Sequence, residues 1–322
     1  MPVLHPVFDT HIYRRIDRQT ATDLKALERS QSIQALAGFY PTLELAAHLS
    51  DPDDNAHNAS IRGFAAIAAH TFIYNGFNPV VPFMSDVMNQ LAWGLFRRKI
   101  KEERDMADFF GYALGELAHL EPPKVPDHLR EHFTLMKESV RSREAKFSDD
   151  MLGMVRHIDP TSTTWQPHPN DPKARAKLLR ELRGPAFLRL SSAARVVAIA
   201  EACDAPLQED AKERATEMVL AAFPAAHFFM RNLLIGMVES GIDFSRPEKA
   251  NSAWDMSLAF IISPSSRVNG VPSILVTDEK RFHTAALGTG HEPFCMTYES
   301  YISLLDSHSV WEYADSLPPS EA

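Results

Sequence analysis

The stretch Ile274-Leu275-Val276-Thr277-Asp278-Glu279 is a short apolar run that ends in carboxylates. Val7-Phe8-Asp9-Thr10, near the other end of the chain, has the same form. Such runs are typical of buried strands in a parallel sheet, and open α/β sheets bind ligands at the carboxyl ends of their strands. We therefore predict that two strands, from opposite ends of the chain, bring carboxylates to one sheet edge and form a cation site.

The first part of the chain, residues 1–52, alternates strand and helix patterns around Asp9. A polar helical stretch follows that acid, and the apolar run Leu36–Tyr40 comes next. Pro41 and Thr42 then favour a helix start, which places Glu44 in the first turn of the helix. This alternation predicts a parallel α/β unit.

The last part, residues 246–312, repeats the alternation. A helix is predicted from Ser252, with Asp255 in its first turn. The strand over 274–277 leads into a predicted helix over Lys280–Leu287, a short strand over Phe294–Met296, and a helix that Thr297 caps. Both ends of the chain therefore predict pieces of one parallel sheet.

The middle, residues 53–245, has a different pattern, because its apolar residues recur at spacings of three and four between prolines. Helices are predicted over 58–75, 83–119, 127–157, 173–183, 190–203, 208–222 and 225–240. The predicted fold class is α/β, with a parallel sheet flanked by helices and interrupted by a large all-helical insertion. A flexible tail is expected over 313–322. Two separate domains are the rival arrangement, but neither end alone has enough strands for a stable sheet.

The composition of the 322 residues is that of a globular protein with a sizeable core. No apolar run approaches the ~18–20 residues that cross a bilayer, and the first residues lack a secretory pattern. The two cysteines, Cys203 and Cys295, suit a reducing compartment, so we expect a cytoplasmic protein without a membrane partner. The net charge of −9 is opposite to that of a strong duplex-DNA binder. A nuclease that holds metal with carboxylates can nevertheless be acidic overall.

Four acids lie at predicted strand ends or first helical turns: Asp9, Glu44, Asp255 and Asp278, with Glu279 adjacent. Carboxylates brought together repel one another unless a cation neutralises them. Mg²⁺ and Mn²⁺ take oxygen ligands and support metal-assisted phosphodiester hydrolysis. Each acid also has an ordinary explanation, since an Asp can cap a helix and a carboxylate in a first turn favours the helix dipole.

The order and context of these motifs resemble the PIN-domain nuclease family. In that family a strand ends in Asp-Thr or Asp-Ser, as in Asp9-Thr10, and a Glu follows at a helix start, as Glu44 does. An Asp near the start of a late helix follows, as in Asn251–Ala259. A Leu-Val-Thr strand then reaches an acid, as in Leu275–Phe282, and a Thr-capped helix closes the pattern, as in Met296–Tyr301. The resemblance covers the two ends of the chain, and it implies a PIN-like, three-layer α/β domain with a helical insertion.

The resemblance also implies a metal-dependent endoribonuclease that uses Mg²⁺ or Mn²⁺. Asp9, Asp255 and Asp278 would hold the metal, with Glu44 as a further ligand or a water-orienting base. The family often has Thr-x-Asp at the fourth position, and strict alignment would place Glu279 there. The fourth ligand therefore stays open between Asp278, the first choice because it is nearer the strand end, and Glu279.

Candidate substrate contacts are hydroxyls beside the acids and basic residues in the helical middle. Thr10 and Thr277 follow or precede predicted ligands, and Thr277 could orient substrate or water. Arg180 and Arg183 belong to a basic run that could grip a phosphate backbone, although a solvated helix face is the commoner meaning of such a run. Arg231 lies shortly before the last part of the chain. RNA is expected over DNA because of the resemblance alone.

A non-catalytic PIN-like scaffold or partner-binding module is the alternative function. Arg281 stands where the family often has an Asp, which favours this alternative. In either case, the helical insertion could position substrate, bind a protein partner or mediate homo-oligomerisation.

Overall fold

The computed structural model describes residues 2–73, 80–81, 91–98, 102–118, 125–246, 249 and 251–319. The chain is mostly helical and contains a small parallel sheet flanked by helices. The predicted combination of a parallel sheet with a long helical middle is therefore found. The strands of the described ranges are β1 (His5–Phe8), β2 (Ala37–Gly38), β3 (Val80–Val81), β4 (Arg267–Val268), β5 (Val271–Val276) and β6 (Cys295–Met296).

The two ends of the chain share one sheet, because β1 and β5 pair in parallel. The pairing runs from His5 opposite Ser273 to Phe8 opposite Val276. On its other side β5 pairs in parallel with β6, and its first residues pair antiparallel with β4. The second half of β5 is buried, as expected of a parallel strand covered on both faces. The strand predicted over 274–277 is thus found and begins three residues earlier.

A second group of strands lies beside β1. Isolated parallel bridges join Leu4 to Ile33 and Val7 to Leu36, and β2 pairs in parallel with β3. The segment predicted to be entirely helical therefore contributes one short strand, β3. Two β-branched residues are too few to show the alternation that identifies a strand in a sequence.

Helices flank the sheet and make up the middle of the chain. Two 3₁₀ turns lie at Ala259–Ile261 and Glu292–Phe294, and residues 91–96 form a further helical stretch. The other helices of the described ranges are α1 (Thr10–Tyr13), α2 (Arg18–Ser30), α3 (Phe39–Ala46), α4 (His57–His70), α5 (Glu102–Ala118), α6 (Asp127–Ile158), α7 (Pro172–Arg183), α8 (Pro185–Ala202), α9 (Glu209–Ala222), α10 (Pro224–Ser240), α11 (Ser252–Leu258), α12 (Lys280–Thr289), α13 (Tyr298–Asp306) and α14 (Val310–Ser316).

Local capping explains where these helices differ from their predicted bounds. Asp17 accepts a hydrogen bond from the Thr20 backbone N–H (2.7 Å) and starts α2, so the polar stretch after Asp9 forms two helices. The extended backbone of Gly38 starts α3 at Phe39, earlier than the predicted start beyond Pro41. Glu44 consequently lies in the second turn of α3, which corrects its predicted first-turn position.

Two further predicted segments differ from the structure. The helix predicted over 83–119 is interrupted at 97–98, where Arg97 has a φ of 54°, and α5 begins at Glu102. The first residues of the predicted tail, 313–316, belong to α14. Burial of Val310 and Leu317 at either end of that helix holds this segment against the core.

The helical middle and the α/β ends share a continuous hydrophobic core. Helix α4 packs on α2, and α10 packs on α12. The proposed domain limits at 52/53 and 245/246 stay predictions. Within the described ranges, no single helix has the length and hydropathy to cross a membrane, and only α9 and α10 together, bent by 90° at their junction, satisfy both criteria.

Candidate functional site

The parallel pairing of β1 and β5 places Asp9 beside the residues that follow β5. The Asp9 backbone N–H donates to the Val276 carbonyl (3.0 Å), and the Thr277 hydroxyl donates to Asp9 Oδ2 (2.7 Å). The other Asp9 oxygen accepts a long bond of 3.5 Å from the His11 N–H, so Asp9 also caps α1. Asp9 therefore both caps α1 and lies against the end of β5.

Asp255 reaches the same region from α11, and Arg281 from α12 connects it to the end of β5. Arg281 Nη2 lies 2.8 Å from Asp255 Oδ2 and 2.8 Å from Glu279 Oε2. A single guanidinium nitrogen therefore holds two carboxylates together. The same guanidinium lies 5.8 Å from the centre of the Phe229 ring on α10, which limits its movement on that side.

Glu44 approaches from α3 and forms an ion pair with Arg14, with 3.2 Å between Oε1 and Nη1. Its charge raises the pKa of both Asp9 and Asp255. The structure thus brings together three of the predicted acids, Asp9, Glu44 and Asp255.

The predicted first choice for the fourth acid, Asp278, lies elsewhere. Its Oδ2 accepts from Arg15 at 2.6 Å, and its Oδ1 accepts from the Tyr298 backbone N–H at 3.0 Å. Glu279, by contrast, contacts Arg281 and raises the pKa of Asp9. The Glu279 backbone N–H also donates to the Thr277 hydroxyl at 3.1 Å, which places it beside the side chain that bonds Asp9.

Burial and neighbouring charges make ionisation of Asp9 and Asp255 unfavourable. Burial raises the pKa of Asp9 to about 7, with further increases from Glu279 and Glu44, although the Thr277 hydrogen bond lowers it. Burial also raises the pKa of Asp255 well above its ordinary value, and Glu279 adds to the increase while Arg281 opposes it. The two buried carboxylates therefore lack full charge compensation.

The helical middle supplies a further acid that the sequence analysis did not single out. Glu144 lies on α6, and the Trp254 indole N–H donates to its Oε1 at 3.0 Å. Burial raises the pKa of Glu144, and the charge of Glu44 raises it further. The pattern of apolar residues along α6 would be the same with or without this contact, so the local sequence does not identify Glu144 as part of the site.

The predicted substrate contacts are dispersed. Thr277 is fully buried and engaged with Asp9, whereas the buried Thr10 hydroxyl next to Asp9 has no hydrogen-bond partner among the described residues. Arg183 pairs with Glu239, and the Arg231 guanidinium lies 4.1 Å from the centre of the Phe228 ring.

Arg180 is exposed on α7, with its Nε 3.9 Å from the neighbouring Glu181 carboxylate. The three predicted arginines therefore contact groups of the helical middle, while Arg14, Arg15 and Arg281 contact the candidate acids or Asp278.

The donor set fits a hard divalent cation by its chemistry. Asp9, Glu44, Asp255 and Glu279 provide carboxylate oxygens, which Mg²⁺ and Mn²⁺ prefer. Two of these carboxylates share Arg281, and a third pairs with Arg14. As arranged, no group of three His, Cys, Asp or Glu side chains in the described ranges forms a ready-made metal site. Guanidinium groups pair with three of the four acids in this arrangement, whereas Asp9 bonds the Thr277 hydroxyl.

Comparison with known proteins yields no relative. No family model, no curated protein and no solved structure matches this chain.

Proposed function

We propose that the protein is a metal-dependent nuclease that hydrolyses phosphodiester bonds. Asp9, Glu44, Asp255 and Glu279 would hold Mg²⁺ or Mn²⁺ in an α/β domain of PIN-like, three-layer form. The observation that carries this proposal is the convergence of four acids on the carboxyl edge of β1 and β5, where burial and the charges of Glu44 and Glu279 raise the pKa of Asp9 and Asp255. Such a cluster costs folding free energy, which a bound cation would offset.

The residues around the acids have distinct roles in this proposal. Thr277 fixes the Asp9 carboxylate, and its hydroxyl also accepts from the Glu279 backbone N–H at 3.1 Å, so one side chain sets the positions of two ligands. The unpartnered hydroxyl of Thr10 could bond water or a phosphate oxygen. When bound, a divalent cation supplies Lewis-acid chemistry that polarises the phosphodiester and makes water a better nucleophile.

The proposed substrate is RNA, with DNA as the less favoured polymer. Arg15 is exposed and pairs with Asp278, which precedes Glu279 in the chain, so it could contact a phosphate group, as could Arg281 if it releases one carboxylate. The preference for RNA rests on the resemblance to PIN nucleases. The substrate roles predicted for Arg180, Arg183 and Arg231 would need a strand that extends along the helical middle.

A thermal-shift titration with Mn²⁺ tests the metal site. We expect Mn²⁺ to raise the melting temperature of the wild type and to have no such effect on the Asp9→Asn/Asp255→Asn double variant. Asp278→Asn is the matched control, because that carboxylate bonds Arg15 and Tyr298 and should leave the rise intact. An equal rise in the double variant would show that the ion binds elsewhere.

Cleavage of labelled single-stranded RNA and DNA, with Mn²⁺ or with EDTA, tests the reaction. We expect the wild type and Asp278→Asn to cleave RNA only with the metal, and the double variant to cleave neither polymer. Metal-dependent stabilisation without cleavage of either polymer would retain the cation site and reject the nuclease.

A non-catalytic module is the second candidate, and one observation favours it. Arg281 bridges Asp255 and Glu279 and could serve as a permanent internal cation. In that case the helical middle would bind a protein partner or a second copy of the chain. The variant Arg281→Met distinguishes the two candidates. In a nuclease we expect it to increase Mn²⁺ affinity, because a charge that competes with the ion is removed. In a scaffold we expect it to lower stability with or without Mn²⁺.

A further inference from the structure

A cavity of about 490 Å³ lies between α6, α8, α10 and the end of α11 with the 3₁₀ turn that follows it. Its volume is within the range of small-molecule sites, which are mostly apolar with a few convergent polar groups. None of the four candidate carboxylates lines it. The cavity is therefore separate from the acidic cluster, although Met256 in its wall directly follows Asp255.

The inner wall of the cavity is apolar. Met230 from α10, Met256 from α11 and Phe260 from the following 3₁₀ turn are buried side chains that line it. Methionine side chains adapt to the shape of an apolar partner, and an aromatic ring adds a flat contact surface. These residues favour a ligand with an aliphatic or aromatic body.

One cation is set into this apolar wall. The Arg195 guanidinium lies 5.3 Å from the centre of the Phe260 ring, and its Nη2 lies 3.9 Å from Met256 Sδ. Arginine keeps its charge in such surroundings and presents a planar set of donors that suits carboxylates and phosphates.

A neutral polar pair accompanies this cation. Ser191 Oγ lies 2.9 Å from His227 Nδ1, and both residues line the cavity. Burial lowers the pKa of His227 to about 3, so its imidazole is uncharged near neutral pH. Of the two basic side chains described on the inner wall, Arg195 and His227, Arg195 is therefore the charged one.

Charged residues surround the mouth of the cavity. Lys146, Asp149, Asp150 and Glu201 are exposed residues of α6 and α8 at its rim, and Lys146 pairs with Asp150 at 3.1 Å. Exposed charges are screened by water and salt. Each of these exposed charges therefore acts more weakly on an anion in the cavity than a charge set into the apolar wall does.

We propose that this cavity binds a small amphipathic anion, whose apolar body packs on Met230, Met256 and Phe260 and whose carboxylate contacts Arg195. This site does not depend on the nuclease proposal.

Displacement of the fluorescent anion 8-anilinonaphthalene-1-sulfonate tests the site with octanoate and octan-1-ol as competitors. We expect octanoate to displace the dye at about tenfold lower concentration than octan-1-ol, because only octanoate gains a charge-assisted contact. Arg195→Met keeps an apolar stem of similar length and should remove this difference while octan-1-ol still competes. Equal competition by the two ligands in the wild type would overturn the proposal.

A cavity-filling variant locates the site independently of the charge. A Cβ built at Gly153 in α6, on the cavity wall, meets no atom within 4 Å, so Gly153→Leu can enter the cavity without disturbing the fold. We expect it to weaken dye and octanoate binding about tenfold or more. Gly94→Leu is the matched control, since a Cβ there is equally unobstructed and Gly94 does not line the cavity. Unchanged octanoate binding by Gly153→Leu, with native circular dichroism, would also overturn the proposal.

Discussion

Asp9 is buried against the end of β5, and its ionisation opposes folding. Its pKa in the folded protein is about 7, against an ordinary value of 3.8. The contribution of this group to stability is therefore fully present below about pH 4 and is lost as the pH rises through 7. Asp9→Asn cannot ionise, so its free energy of unfolding relative to wild type should increase by about 2 kcal/mol between about pH 5 and pH 8.

Urea denaturation in EDTA at the two pH values measures this difference. Asp306→Asn, at an exposed position at the end of α13, is the control and should show almost no pH-dependent difference from wild type. A constant difference between Asp9→Asn and wild type would mean that Asp9 keeps an ordinary pKa, and the acidic cluster would then lack its proposed repulsion.

The sequence predicted Asp9, Glu44 and Asp255 as candidate acids and left the fourth open between Asp278 and Glu279. Asp9 and Asp255 were recognisable because they stand at the end of a strand pattern and in the first turn of a helix pattern. Asp278 was preferred for its closeness to the strand end, whereas Glu279 is the acid that shares Arg281 with Asp255. Glu144 depends on how α6 packs on α11, which the residues around it do not encode.

The packing of α10 against α12 leaves no room for a side chain at Gly288. A Cβ at Gly288 would lie 2.4 Å from Phe228 Cζ, and Arg231 covers the same ring. Gly288→Ala should therefore destabilise the protein by about 1–3 kcal/mol through overpacking, although alanine favours a helix. Gly153→Ala, where a Cβ meets nothing within 4 Å, should instead stabilise it by up to about 1 kcal/mol. Chemical denaturation gives both values, and equal effects would show that Phe228 moves aside freely.

Elements were predictable where the pattern was long or clearly capped. Strand β5, helix α12 and the Thr297-capped helix α13 all lie within three residues of their predicted bounds, because burial and capping agree there. β2 and β3 have two residues each, and pairing across the chain defines them. Such strands depend on partners that a local pattern does not reveal.

A buried network joins the first part, the middle and the last part of the molecule. The Glu28 carboxylate on α2 accepts from the Tyr301 hydroxyl at 2.6 Å and lies 3.0 Å from His70 Nε2 on α4. His70 Nδ1 lies 3.0 Å from the Tyr13 hydroxyl. Tyr301→Phe leaves the buried carboxylate with one donor fewer and should cost about 1–3 kcal/mol of unfolding free energy.

The exposed Tyr112 provides the matched control for this network. Tyr112→Phe makes the same chemical change on the surface of α5 and should stay within about 0.5 kcal/mol of wild type in urea denaturation. Similar small values for both variants would mean that the ends of the chain are held together by β1, β5 and apolar packing without help from this network.

The helical middle takes part in the acidic cluster through Glu144, so the whole molecule, and not its ends alone, would set metal affinity. Burial and the charge of Glu44 raise the pKa of Glu144, and the Trp254 indole, from the last part of the chain, donates a hydrogen bond to its carboxylate. Glu144→Gln removes one negative charge while an oxygen remains for the indole, and it should weaken Mn²⁺ binding by about tenfold in a spectroscopic titration.

Glu138→Gln changes an exposed residue of the same helix and should not alter binding. If both variants bind Mn²⁺ as the wild type does, the insertion contributes only packing to the cluster, and the ions would depend on the two chain ends alone.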